Sequence, residues 1–84
     1  MTTYLGALSH GAHTIAVHRD GCLIRWLLST PAGEVTDHHG TPHHAHDAIE
    51  QWITSVTDDW TEQAELRRRA LDIRHRIDQK VLDQ

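Results

Sequence analysis

The chain has 84 residues, 38% of them hydrophobic, with no Phe and a formal net charge of −4 at pH 7. That length makes a single domain, residues 1–84, with a net stability on the order of 5 kcal/mol. Its one cysteine, Cys22, excludes an intrachain disulfide and a multi-cysteine zinc site, and its acidity disfavours non-specific nucleic-acid binding.

The charge is unevenly placed. Residues 1–66 carry two basic side chains against nine acids, and residues 67–84 carry six against three. Nine histidines are present, and protonating all of them would take the formal charge from −4 to +5. With no Phe, Trp26, Trp52 and Trp60 are the first candidates for core or interface anchors. No leader-like segment and no run of about 18 apolar residues is present, which predicts a cytoplasmic protein with no membrane partner.

Residues 1–11 show little periodicity and read as an N-terminal arm with room for a short strand at Tyr4–Leu8. A β-meander follows over residues 12–38. Residues 12–18 alternate, Asp20-Gly21 signals a type I′ hairpin, and residues 22–29 form the second strand. On that strand Cys22, Ile24, Trp26 and Leu28 share one face; Leu23, Arg25 and Leu27 share the other. Two leucines on the second face predict that it too is covered, by the C-terminal helix or by a second subunit. Thr30-Pro31-Ala32-Gly33 predicts another turn, and residues 34–38 a third strand whose Glu34 and Asp37 protect a solvent edge.

Thr41 as N-cap and Pro42 at the first position predict a helix over 42–56, with Ala45, Ala48, Ile49, Trp52, Ile53 and Val56 in one stripe. Asp59 and Glu62 stand at capping-box spacing for a long helix within residues 58–82. Leu66, Ala70, Ile73, Ile77 and Val81 form its main apolar stripe. Trp60, Ala64, Leu71 and Leu82 form a second. At ~24 residues it would span about 36 Å, more than a small sheet covers, so part of it should pack on another chain. The fold class is α+β: a three-stranded antiparallel β-meander packed by one amphipathic helix, followed by a long C-terminal helix.

Asp20-Gly21, Ile24-Arg25-Trp26-Leu27-Leu28, Ala32-Gly33-Glu34-Val35, Gly40 and the helix from Ala45 to Val56 form a recognisable series. Across residues 13–56 this series resembles the YegP-like domain of unknown function. The resemblance implies a three-stranded curved sheet on a helix, found as tandem repeats or as paired single copies, so one copy here implies a homodimer. It carries no catalytic residue. Gly40-Thr41-Pro42 replaces the usual Tyr-Ser segment, and the long C-terminal helix is an addition.

Three constellations are candidates for chemistry. Leu23 and Leu27 with Leu66, Ala70, Ile73, Ile77 and Val81 are candidates for a dimer or partner interface. Arg67, Arg68, Arg69, Arg74, Arg76 and Lys80 form the one basic cluster, a contact for nucleic acid or an acidic partner. The arginine triplet surrounds its helix, however, and does not line one side. His43, His46, Asp47 and Glu50 share a helix face and could chelate a divalent transition metal; solvated imidazole–carboxylate pairs are the plainer reading. Cys22 reads as a small core residue, and no nucleophile elbow, phosphate loop or zincin motif is present.

The expected function is therefore a non-enzymatic homodimeric protein-interaction module. A short acidic chain with no active site has the form of a phage- or mobile-element-type inhibitor or accessory protein. The alternatives are a small nucleic-acid-associated regulator using the basic helix and a histidine-rich metal-binding protein. No cofactor is expected beyond that possible metal.

Overall fold

A computed structural model describes residues 2–79. The order of elements is β1 (Thr2–His10), β2 (His13–Asp20), β3 (Leu23–Ser29), β4 (Val35–Gly40), α1 (Pro42–Val56) and α2 (Trp60–Asp78). The strands form one antiparallel sheet in the order β1-β2-β3-β4. The α+β class holds, but the meander has four strands instead of three.

The extra strand lies in the segment expected to be an arm with a short strand at Tyr4–Leu8, and it runs from Thr2 to His10. Its pairing with β2 shifts between Tyr4 and Gly6, so a β-bulge interrupts the alternation. Leu5 and Leu8 are both buried although three residues apart. A bulge turns a two-residue period into a three-residue step, which hides a strand from a search for alternation.

The first two hairpins close through two-residue turns, Gly11–Ala12 and Gly21–Cys22. Gly11 and Gly21 have φ of 60° and 65°, and among the described residues no non-glycine residue has positive φ. Glycine first with a negative φ after it is the type II′ pattern, which corrects the type I′ turn expected on Asp20-Gly21. Cys22 accordingly sits in the turn and is exposed, not a core residue of β3. The third turn is as expected: Thr30 N donates to Glu34 O at 3.0 Å, Gly33 N to Thr30 O at 2.9 Å, and Gly33 has φ 86°.

Both helices start where local chemistry dictates. Thr41 caps α1, accepting from His44 N, and His44 Nδ1 accepts from Thr41 N at 3.4 Å. Histidine thus completes a capping box usually closed by Glu or Gln. Asp59 caps α2, accepting from Thr61 N at 2.8 Å and Glu62 N at 3.3 Å. Glu62 does not reach back to close a box; it accepts from the Thr57 hydroxyl at 2.6 Å. The helix ends at Asp78, capped by Gln79. Lys80, Val81 and Leu82 lie outside the described residues.

Both helices lie on one face of the sheet, α1 across β2–β4 and α2 along β1. The core is built from Leu5, Leu8, Ile15, Val17, Ile24 and Trp26 of the sheet, four residues of α1 (Ala45, Ile49, Trp52, Ile53) and four of α2 (Leu66, Ala70, Ile73, Ile77). Trp26 and Trp52 are buried as expected, whereas Trp60 is 75% exposed at the start of α2. The result is a two-layer slab of 41 × 26 × 16 Å. Among the described residues no helix is long and apolar enough to cross a membrane.

Candidate functional site

Directly opposed residues of an antiparallel sheet share a face. The registers therefore assign the face away from the helices residue by residue. One row runs Ala7–Ala16–Leu27–Asp37, the next Tyr4–His18–Arg25–His39, and a third Ser9–Thr14–Ser29–Val35, with Leu23 opposite Asp20 at one end. Tyr4 is 61%, Leu23 41% and Val35 59% exposed, and Leu27 is half-buried. The Leu23/Leu27 face, expected to be covered, has no helix over it: α2 packs along β1 on the other side.

Two features structure this open face. The Arg25 guanidinium grips Asp37 across β3 and β4, with Nε 2.9 Å from Oδ1 and a second nitrogen 2.7 Å from Oδ2. That hydrogen bond holds the Asp37 carboxyl below the usual carboxylate range. Beside it, the Tyr4 and His18 rings stand 5.4 Å apart and tilted at 60°. His18 Nδ1 is shielded and without a hydrogen-bond partner among the described residues.

The other expected interface residues are placed differently. Leu66, Ala70, Ile73 and Ile77 are all buried within the chain's own core. A 19-residue helix is about 28 Å long, and β1 with α1 supplies enough partner surface for the whole stripe. The second stripe is the one left free: Trp60 and Leu71 are exposed on the outside of α2.

The basic cluster is dispersed. Arg67 donates from Nε to Glu50 of α1 at 3.1 Å, and Arg74 also reaches Glu50 at 3.5 Å. Arg76 turns inward and donates to the Leu5 carbonyl at 2.8 Å. Arg68 and Arg69 both lean on Glu65. Among the described residues, the five arginines are thus divided between Glu50, Glu65 and the Leu5 carbonyl.

The metal candidates are dispersed as well. His43 faces Asp47 at 3.5 Å, His46 pairs with Asp78 of α2 at 2.8 Å, and Glu50 is taken by the two arginines. Among the described residues no group of three or more His, Cys, Asp or Glu side chains could hold a metal ion. The four residues stand on α1 at i, i+3, i+4 and i+7. From α2, Asp78 draws His46 away and Arg67 with Arg74 draws Glu50, pairings that no spacing within α1 reveals.

One concavity lies outside these expectations. An open groove of about 610 Å³ separates α1 from β3 and β4, with Trp26 and Trp52 at its base and His38, His44 and Asp47 on its rim. The His38 ring stacks on Trp26, with centroids 6.0 Å apart and planes 18° from parallel. Ser55 also borders it, but its hydroxyl donates to the Trp52 carbonyl at 2.8 Å. The β3–β4 register sets His38 directly opposite Trp26, which is what brings the two rings together.

Comparison with protein families, with curated proteins and with solved structures finds no match to this chain.

Proposed function

We propose that this protein is a non-enzymatic interaction module that works as a homodimer and offers its open sheet face to another protein, in the manner of a phage- or mobile-element-type inhibitor or accessory protein. One observation carries this reading. Helices cover one face of the sheet only, and the bare face carries exposed Tyr4, Leu23 and Val35 and half-buried Leu27, interleaved with Arg25, His18 and Asp37. Scattered apolar residues are ordinary on a protein surface, whereas apolar side chains collected on one flat face mark contact surfaces. Small Ala7 and Ala16 beside Leu27 leave room for a partner's side chains. The resemblance of residues 13–56 to a domain that occurs in pairs points the same way.

The non-enzymatic part is supported by how the reactive side chains are used. Cys22 sits in an exposed turn, the Ser55 hydroxyl is engaged with a backbone carbonyl, and Asp59 serves as a helix cap. Among the described residues none of these has a hydrogen-bonded base or acid partner arranged for catalysis.

Light scattering at micromolar concentration should give about twice the 9.6 kDa chain mass. Affinity capture from a host lysate should retain a protein that a Leu23→Lys/Leu27→Lys variant loses, and that protein, once purified, should bind the wild type alone. A stable monomer, or identical capture by both forms, sinks the proposal.

A further inference from the structure

The two edges of the sheet are treated differently. On β1 a bulge spans Tyr4 to Gly6, and the Arg76 guanidinium occupies the Leu5 carbonyl beside it. Bulges and capped carbonyls are devices that stop an edge from recruiting another strand. On β4 the register runs unbroken from Val35 to Gly40, and no described side chain hydrogen-bonds to its backbone. The one acid on the strand, Asp37, is paired with Arg25 of β3, which offsets only part of its charge.

Which groups the free edge offers follows from the hairpin. Thr30 N bonds Glu34 O, so the alternation along the ladder makes Leu28–Thr36, Trp26–His38 and Ile24–Gly40 the hydrogen-bonded pairs. Val35, Asp37 and His39 therefore direct their N–H and C=O groups outward, and these three also carry their side chains on the open face. An antiparallel neighbour can satisfy those backbone groups only if its own outward residues lie opposite them.

We infer that the neighbour is a second copy of this chain: β4 pairs antiparallel with the partner's β4 about a dyad at His38. The inference rests on the dimer reading above and specifies its interface. Residues facing one another must share a sheet face, so the dyad passes through a residue and not between two. A dyad at Asp37 would set two carboxylates directly opposite each other, which destabilises an antiparallel pair. A dyad at His38 gives up the outermost backbone bonds of that alternative. In return it sets Asp37 opposite the partner's His39, and His39 opposite the partner's Asp37, an acid–imidazole complement repeated by symmetry. Like every isologous contact, it closes at two copies. The product is one eight-stranded sheet. The open faces then form a single surface, and the two Trp26–Trp52 grooves flank the dyad on the helix side.

The test uses full-length protein with Cys22→Ser, so that an introduced cysteine is the only thiol. At the dyad, His38→Cys would bring two identical residues together as a non-hydrogen-bonded pair, a spacing that suits a disulfide. Under mild oxidation this variant should become a covalent dimer at least tenfold faster than Asp37→Cys in the same background, with circular dichroism checking that both fold. If Asp37→Cys cross-links faster, the register is wrong. If neither cross-links while the wild type scatters as a dimer, the copies meet elsewhere; the dimer reading stands and this inference fails. A monomeric wild type overturns both.

Discussion

At the scale of single residues, Gly6 shows how one position sets the spacing between layers. Its φ is +148°, and a Cβ built there would lie 2.7 Å from Cγ1 of Ile73 on α2. Glycine thus serves both the bulge and the close approach of the helix. Gly6→Ala should combine backbone strain with overpacking and lower stability by about 3 kcal/mol in urea unfolding. Gly11→Ala is the matched control, since Gly11 also has positive φ but nothing within 4 Å of its Cβ position. It should cost about 1 kcal/mol. Equal losses at the two sites would mean that the approach of Ile73 is immaterial. In the sequence Gly6 reads as a sign of irregular chain, because its reason is a contact sixty-seven positions away. Thr41 and Asp59 were legible as caps because the groups they satisfy lie within three residues.

Among the elements, α1 was readable to the residue and the start of α2 to within two residues, for the same reason: caps and stripes are local signals. The strands β2 and β3 were readable from alternation and turn chemistry. Of β1 only the stretch Tyr4–Leu8 was legible as a short strand, because the bulge breaks the period and hides its full length, Thr2–His10. The end of α2 depends on a residue outside the helix. One terminal nitrogen of Arg19 on β2 lies 2.8 Å from the carbonyls of Arg76 and Ile77 and 3.0 Å from that of Gln79. These are the orphan acceptors of a helix C-terminus, where the macrodipole favours a cation. Arg19→Ala should cost roughly 2 kcal/mol, the scale of hydrogen bonds from a charged donor. The loss should be local, with faster amide exchange over residues 74–79 and little change in β2 or β3. Uniform acceleration across the chain would show that Arg19 supports the whole fold and not the helix end.

Across the whole molecule, the two helices are joined on their outer side by charge, not by a polar core. Glu50 of α1 accepts from Arg67 and Arg74 of α2, and no polar or charged side chain is buried among the described residues. The hydrogen bond from Arg67 holds the Glu50 carboxyl below its ordinary range, with desolvation opposing and the charges of Arg67 and Arg74 assisting. A carboxyl whose folded value is depressed contributes stability above its unfolded value, about pH 4.3, and loses that contribution as pH falls through the lower folded one. Because Glu50 is partly exposed, salt screens the effect. Glu50→Gln should therefore be less stable than the wild type above about pH 5, and the gap should close as pH falls below about 4. High salt should narrow the gap at neutral pH. Asp37 and Glu62 are depressed in the same direction by Arg25 and by Thr57 with His10, so the variant's own acid transition should become shallower without disappearing. A gap that stays constant from pH 7 to about pH 2 would show that the glutamate acts through packing of its stem and not through its charge.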